Sequence, residues 1–336
     1  GVDTDLHFKA SGELDMGWTV SVSHVLDTNN AVANSSTQMA VGMGSMGKVQ
    51  FNHDGGAASN GKSFSMGNQL TFSGSGELDN GMNVSMSFIL DQGDDSTGGT
   101  TAGGNAPFDS HSVSVGMDGL GTLTFHGEGG DSAVAAMDAS AAGGMWDNFQ
   151  VAADEPKSGK SSNDMVSYAL PTILDDLALA VSYTPNGDGG ADSSTSYSAT
   201  YTGVEGLTLA YGSGEDNETE TTADAKAWKV SYAYGPVTAT ATDLEYDHQT
   251  ATSDRDMSSM AISYTLTDEI SIGYGEEEIT DGTASSEKAE FSGFDVSYTA
   301  GGMTLKAYAQ EGDNIDYSTT ATQDQEVWAV NATFAF

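Results

Sequence analysis

Residues 326–336 of this chain read EVWAVNATFAF, and their pattern decides the fold. Every second side chain is large or apolar, and in an extended strand such side chains share one face. The set comprises Trp328, Val330, Ala332, Phe334 and Phe336. The side chains between them are smaller and partly polar. The stretch therefore predicts a β-strand with one aromatic face and one mixed face.

The composition extends this prediction to all 336 residues. The chain has 42 glycines, 5 prolines, 13 tyrosines and 12 phenylalanines, a mixture typical of many strands joined by tight turns. No stretch approaches the ~18 consecutive apolar residues that a membrane helix requires. The slightly negative mean hydropathy does not argue against a membrane protein, because a transmembrane barrel alternates lipid-facing and lumen-facing residues.

The charge balance excludes several classes of function. The chain carries 49 acidic and 10 basic residues, for a net charge of −39. Binding to nucleic acid is therefore electrostatically unfavourable over nearly the whole surface, and a basic membrane-binding patch is excluded in the same way. Because there is no cysteine, the chain can form neither a disulfide framework nor a thiolate metal site.

Two kinds of connection alternate along the chain. Short ones carry turn residues flanked closely by alternating apolar side chains, as in tight hairpins. They lie at residues 15–17, 79–81, 118–121, 203–206, 235–236, 267–268 and 300–302. Long ones are acidic and rich in Gly, Ser, Thr and Asn, at residues 91–110, 186–194, 212–224, 276–286 and 311–325. This alternation predicts a membrane barrel with short periplasmic turns and long outer loops.

An internal repeat bears on the number of strands. Residues 5–56 and 69–130 resemble each other, and each copy is predicted to hold four strands. Eight strands are predicted before residue 128 and eleven after residue 163, which makes nineteen. We expect one barrel domain over residues 1–336 with 16 or more strands, and 18–20 are favoured because a further strand could precede Gly1.

Three features together resemble the general diffusion porins of Gram-negative outer membranes. One is the terminal strand that ends in Phe336, and another is the block FSGSGELDNGMNVSMSFIL at residues 72–90. The third is the strand GTLTFHG at 121–127, followed by a long segment and then by NDMVSYALP at 163–171. The resemblance implies that Phe336, Phe334 and Trp328 form a signal for membrane assembly. It also implies that residues 128–163 are a constriction loop folded into the lumen.

The same resemblance suggests which charged residues line the constriction. The acidic candidates are Glu128, Asp131, Asp138, Asp147, Asp154 and Glu155. Porins of this family place arginines and lysines on the opposite wall, but this chain has a single arginine, Arg255, and nine lysines. By strand alternation only Lys9, Lys229 and Lys306 are expected to face inward. An acidic lining with so few basic counterparts attracts cations, so cation selectivity is expected.

These expectations define a function without chemistry. The chain is predicted to form a water-filled channel in the bacterial outer membrane for passive diffusion of small hydrophilic solutes and ions. The resemblance implies a homotrimer in contact with outer-membrane lipid and lipopolysaccharide. No enzymatic activity or cofactor is expected, because the six histidines show no HxxxH or HExxH spacing and no GxSxG is present.

Three alternatives remain open at this stage. A substrate-specific channel for sugars or carboxylates would share the fold. An outer-membrane enzyme would need a compact polar cluster, which the sequence does not reveal. A calcium-binding surface adhesin is the third. The acidic stretches at residues 91–95, 215–220 and 276–278 could bind calcium in any of these proteins, although none has EF-hand spacing.

Overall fold

The structure is a computed structural model. It describes residues 6–13, 17, 19–27, 33–42, 48–53, 70–90, 108–149, 156–157, 159, 161–185, 192–218, 221–283, 286–318 and 324–334. None of these residues belongs to a helix long and apolar enough to cross a membrane.

β-Strands dominate the described residues, as the alternating sequence predicts. The strands before the long segment are β1 (Leu6–Glu13), β2 (Thr19–Asp27), β3 (Ala33–Gly42), β4 (Lys48–His53), β5 (Leu70–Glu77), β6 (Asn83–Leu90), β7 (Phe108–Met117) and β8 (Gly121–Glu128). Two-residue strands within it are β9 (Gly130–Asp131) and β10 (Ser161–Ser162). The later strands are β11 (Met165–Ala169), β12 (Leu177–Thr184), β13 (Ser194–Val204), β14 (Leu207–Glu218), β15 (Thr221–Tyr234), β16 (Val237–His248), β17 (Arg255–Thr265), β18 (Ile270–Asp281), β19 (Ala289–Ala300), β20 (Met303–Asp313) and β21 (Gln325–Phe334).

These strands form antiparallel sheets in sequence order. β5 to β8 and β11 to β21 make one sheet of fifteen strands, in which β8 pairs with β11 across the long segment. β1 to β4 make a separate four-stranded sheet, and β9 pairs only with β10. Leaving aside the two-residue pair, eight strands precede the segment and eleven follow it, which agrees with the predicted count. The all-β antiparallel fold is confirmed.

The edges of the sheets bear on the predicted barrel. Among the described strands no pairing joins β5 to β21, and none joins the four-stranded sheet to either of them. A closed barrel leaves no edge strand, because an unpaired edge in lipid exposes backbone N–H and C=O groups to hydrocarbon. Closure of the barrel therefore stays a prediction. So does a barrel of 16 or more strands, because the large sheet contains fifteen.

The short connections at 79–81, 118–121, 203–206, 235–236, 267–268 and 300–302 lie where the sequence predicts them, and most of the one at 15–17 is outside the described residues. Three long connections are shorter than expected. β14 runs to Glu218 and β15 starts at Thr221, inside the stretch 212–224 that was predicted to be a loop. β18 likewise reaches Asp281 and β20 reaches Asp313. The physical reason is that ladder hydrogen bonds need only the backbone, so paired strands extend into polar sequence beyond the apolar band.

The two faces of the fifteen-stranded sheet differ in chemistry. One face exposes a band of large apolar side chains, for example Trp228, Val230 and Tyr232 in β15. The other face, here called the inner face, is the one against which the long segment packs. The apolar band is what lipid contact requires of a transmembrane strand, and its alternation with the inner face is the pattern read from the sequence.

Among the described residues, an apolar cluster joins the four-stranded sheet to the larger one. Val20 of β2 and Val41 of β3 are buried with Met303 at the start of β20, and Tyr298 and Leu305 pack against them. The contact lies beside the short turn between β19 and β20. Each copy of the repeat thus contains four consecutive antiparallel strands, but only the second copy belongs to the large sheet.

Candidate functional site

The segment of residues 128–163, here called the inserted segment, lies on the inner face of the sheet. It contains two short 3-10 helices, Ala135–Met137 and Met145–Phe149. Its apolar side chains are buried in one cluster with those of the strands β15 to β19 and of the 3-10 helix Ile315–Tyr317. The members from the segment are Val134, Ala139, Met145 and Phe149. The inner faces of β14 to β20 are here called the covered wall.

Small residues of the covered wall make room for the segment. Ala223, Ala225 and Ala227 alternate along β15 and are almost completely buried under it. At Gly275 of β18, a Cβ atom would lie 2.5 Å from the Cβ of Ala142. That distance is shorter than van der Waals contact permits, so a larger residue at this position would displace the segment.

The carboxylate of Glu277 holds the centre of the segment. Its side chain is only 2% exposed, on the inner face of β18. Oε1 accepts from the Ser140 hydroxyl at 2.5 Å and from the backbone N–H of Gly144 at 3.0 Å. Oε2 accepts from the backbone N–H of Met145 at 2.6 Å. A buried carboxylate is tolerated when donors converge on it in this way, and the donors in turn fix the position of the segment.

Further hydrogen bonds attach the inserted segment to other strands. The N–H of Ala133 donates to Ser182 Oγ of β12 at 2.9 Å, and the N–H of Ala142 donates to Ser259 Oγ of β17 at 2.9 Å. On the far side, Asn148 lies between two side chains of β20. Its Nδ2 donates to Gln310 Oε1 at 2.9 Å, and its Oδ1 accepts from the Tyr308 hydroxyl at 3.1 Å. The segment is thus attached from β12 to β20.

The predicted acidic residues fall into three groups. Asp131, Asp138 and Asp147 have exposed side chains on the inserted segment. Glu128 lies elsewhere: a bulge in β8 places it opposite His111, 3.8 Å from Nδ1, on the face away from the segment. Asp154 and Glu155 lie outside the described residues. The structure thus brings three of the six candidates to the inner side, and their role in constriction stays a prediction.

The structure describes the side chains of two of the three predicted basic residues, Lys229 and Lys306. Lys229 lies on the inner face of β15, and its Nζ donates to the backbone carbonyl of Asp138 at 3.0 Å. Lys306 is exposed on β20, on the face that carries Tyr308 and Gln310, and it pairs in register with Asn331. Lys9 lies in β1, and its side chain is outside what the structure describes.

Other basic residues pair with acids near the long connections. Lys226 Nζ is 3.9 Å from Glu245 and 3.7 Å from Asp247, and Arg255 Nη1 is 3.3 Å from Asp281. Lys288, just before β19, donates to the Glu278 carboxylate. That hydrogen bond and the negative charge behind it raise the pKa of Lys288. The pairs of Lys226 and Lys288 lie away from the inserted segment. Arg255 instead lies on the inner face, where its guanidinium carbon is 5.1 Å from the ring centroid of Tyr317.

The acidic run at residues 276–278 is split by strand alternation. It lies within β18 rather than in a loop, so Glu277 faces the segment while Glu276 and Glu278 face the other way. In the described part of the chain no three His, Asp or Glu side chains are arranged to hold a metal ion. Residues 91–95 and 219–220 of the other calcium candidates are outside that part.

The terminal strand forms as predicted. Trp328 is 64% exposed on the lipid-facing side, and Phe334 pairs in register with Met303. Phe336 lies outside the described residues. A role of these residues in membrane assembly stays a prediction.

Two groups of residues escaped the sequence reasoning. Glu277 and Gly275 were missed because their importance depends on the position of a segment that is distant in the chain: Glu277 contacts Met145, 132 residues away. Strand alternation could have indicated them, because Gly275 and Glu277 alternate in β18 with the outward-facing Tyr274 and Glu276. The serines of β5 to β8 were missed because their alignment depends on strand register.

Comparison with known proteins agrees with this architecture. A family model described as Gram-negative porin matches residues 40–290. No curated protein matches the sequence.

Several solved structures share the fold. An anion-selective porin from Comamonas acidovorans has a TM-score of 0.54 at 13% identity, covering 92% of this chain and 89% of that one. A mutant of the Rh. blastica porin has 0.52 at 12% identity, covering 98% and 97%. The trimer form of in-vitro folded OmpT, an outer membrane protein of Vibrio cholerae, has 0.50 at 14% identity, covering 99% and 96%. At such identities the likeness establishes the fold alone.

Proposed function

Because this chain belongs to the family of Gram-negative porins, proteins of the bacterial outer membrane, we propose that its channel is a passive, cation-selective pore. Small hydrophilic solutes and ions pass down their gradients, and no catalytic residue or cofactor takes part. The observation that carries the proposal is the placement of Asp131, Asp138 and Asp147 as exposed carboxylates on a segment fixed to the inner face.

Few positive charges oppose these carboxylates. Of the described basic residues on the inner-face positions of the strands, Lys229 donates to a backbone carbonyl of the segment, Arg255 pairs with Asp281, and Lys306 lies on β20. Carboxylates that line a narrow passage raise the local concentration of cations and repel anions. The selectivity of the porin from Comamonas acidovorans belongs to that protein, since only 13% of the residues are identical.

The test is a reversal potential in a planar bilayer under a KCl gradient. The unmodified protein is expected to favour potassium. The triple variant Asp131→Asn, Asp138→Asn, Asp147→Asn should move the reversal potential toward zero, because it removes the charges nearest the passage.

A matched control removes three charges from the other face of the sheet, with Asp256→Asn, Glu290→Gln and Glu311→Gln. The control should leave the reversal potential unchanged. Equal shifts in both variants would show that selectivity follows total charge, and the role assigned to the inserted segment would then be wrong.

Assembly is part of the same proposal. A homotrimer embedded in outer-membrane lipid and lipopolysaccharide is supported by the family and by the trimer form of the Vibrio cholerae protein. Light scattering of the purified protein in detergent should give three times the 34.6 kDa mass of the chain. A monomeric mass would contradict it.

A further inference from the structure

The inner face of β5 to β8 and β11, here called the uncovered wall, carries a row of hydroxyl groups. Residues that pair in register on neighbouring strands share a face, so the row can be followed from pair to pair. It runs through Ser75, Ser85, Ser114, Thr124 and Ser167, each paired with the next. It continues through Ser182 to Ser196, where the inserted segment begins to cover the sheet.

A second row lies beside the first. Ser73 pairs with Ser87, Ser87 with Ser112, and Ser112 with His126. The two rows are joined where His126 Nε2 lies 3.0 Å from Ser167 Oγ. The uncovered wall therefore presents one row of hydroxyl groups over five strands and a second row over three strands, which ends at His126.

These hydroxyls retain hydrogen-bonding capacity. Ser114 Oγ and Thr124 Oγ1 lie 2.8 Å apart, which uses one donor between them. Each hydroxyl has one donor and two acceptor positions, so both groups can still bind another molecule. The side chains of Ser75 and Ser85 are exposed.

The row already binds a polar group from outside the sheet. At its covered end Ser182 Oγ accepts from the N–H of Ala133 at 2.9 Å and lies 2.7 Å from Ser196 Oγ. Here the hydroxyls replace water around a backbone amide of the inserted segment. The exposed end of the row offers the same groups without such an occupant in the described part of the chain.

The uncovered wall also lacks positive charge. The strands β5, β6, β7, β8 and β11 contain no lysine or arginine. A solute that passes through therefore has access to carboxylates on the inserted segment and to neutral hydroxyls on the uncovered wall. A wall of arginines would instead bind anionic groups and repel the cations that the carboxylates attract.

Resting on the proposed function, we infer that the uncovered wall makes the pore favour small cations that carry several hydroxyl groups, the class of the amino sugars. The carboxylates attract the ammonium group. The wall hydroxyls replace the water that the solute's hydroxyls lose in the narrow passage. A cation of the same size without hydroxyls displaces the same volume of water from the passage but forms no hydrogen bonds with the wall through hydroxyl groups.

The experiment compares two ring-shaped cations, protonated glucosamine and cyclohexylammonium. Their permeabilities relative to potassium come from bi-ionic reversal potentials in planar bilayers. For the unmodified protein the ratio of glucosamine to cyclohexylammonium permeability should be about threefold to tenfold in favour of glucosamine, after correction for free diffusion.

The wall variant carries Ser75→Ala, Ser85→Ala, Ser114→Ala and Thr124→Val, and it should reduce that ratio to about one. The matched control makes the same types of change on the lipid-facing side, with Ser213→Ala, Ser258→Ala, Ser292→Ala and Thr195→Val, and it should keep the ratio. If the fourfold variant fails to fold, Ser85→Ala alone should lower the ratio by a smaller amount.

The outcomes separate this inference from the proposed function. An unchanged ratio in a folded wall variant, or no preference in the unmodified protein, overturns the inference. A reversal potential of zero for the unmodified protein in the KCl gradient overturns the proposed cation selectivity instead. The wall variant should retain the potassium preference of the unmodified protein, because no charge has been changed.

Discussion

The covered and uncovered walls have the same strand alternation but different inner side chains. Under the inserted segment, the inner positions hold alanine and glycine, large apolar residues, and two buried acids, Glu277 and Asp216. On the uncovered wall, two rows of these positions hold serine and threonine in register, and Glu77 and Asn83 lie beside them. The alternation of apolar and polar side chains therefore determines which face of the sheet points inward. The identity of the inward residues determines whether that face packs against a protein segment or contacts water.

The largest effect that separates the two walls is expected from Glu277→Ala. The change leaves the N–H of Met145 and the hydroxyl of Ser140 without their acceptor, and the N–H of Gly144 keeps only Ser140 Oγ, at 2.6 Å. Each buried unsatisfied group costs roughly 1–3 kcal/mol, so the segment should detach from β18. Single-channel conductance should rise and become variable from channel to channel.

Glu276→Ala is the control, because Glu276 lies next in the same strand and is exposed on the other face. It should leave the conductance unchanged. If Glu277→Ala behaves as Glu276→Ala does, the carboxylate does not hold the segment in place.

A smaller effect is expected from Gly275→Val. The added side chain collides with Ala142, and overpacking of this kind costs about 1–3 kcal/mol. Limited proteolysis should cut the variant within residues 128–163 faster than it cuts the unmodified protein.

Gly74→Val tests the same change in β5, where nothing lies within 4 Å of an added Cβ. This control should be cut at the unmodified rate. Equal sensitivity in both variants would mean that valine acts through the strand rather than through the segment.

The smallest effect is expected from Lys229→Gln. It weakens one partly exposed hydrogen bond to the carbonyl of Asp138, a loss of about 1 kcal/mol or less in the free energy of unfolding. It also removes a positive charge close to the segment, so the reversal potential in a KCl gradient should move slightly toward the potassium limit.

Lys226→Gln removes the same charge on the lipid-facing side and should leave the reversal potential where it was. A shift away from potassium in Lys229→Gln would contradict the assignment of Lys229 to the inner face.

Much of the fold could be predicted from local sequence. The turns at 79–81 and 203–206, and the counts of eight and eleven strands, follow from alternation and turn residues, which are local properties. The prediction of a loop over the whole of 212–224 was wrong, because polar composition does not show where backbone pairing between strands ends.

The candidate site was predictable only in part. Asp131, Asp138 and Asp147 could be named because they belong to the long segment 128–163, which was predicted to fold into the lumen. Glu277 could not, because its role depends on a contact with Met145 across the sheet. The run 276–278 was interpreted as a loop for the same reason: a run of acids is ambiguous until its strand is known.

The odd number of strands in the large sheet determines the relative direction of its two edge strands. In a fifteen-stranded antiparallel sheet the two edge strands, β5 and β21, run the same way. Joining them directly would create one parallel pair, whose slanted hydrogen bonds are slightly less stable. A ring in which every neighbour is antiparallel takes an odd number of additional strands. One or three strands of the β1 to β4 sheet would satisfy that parity from within the same chain.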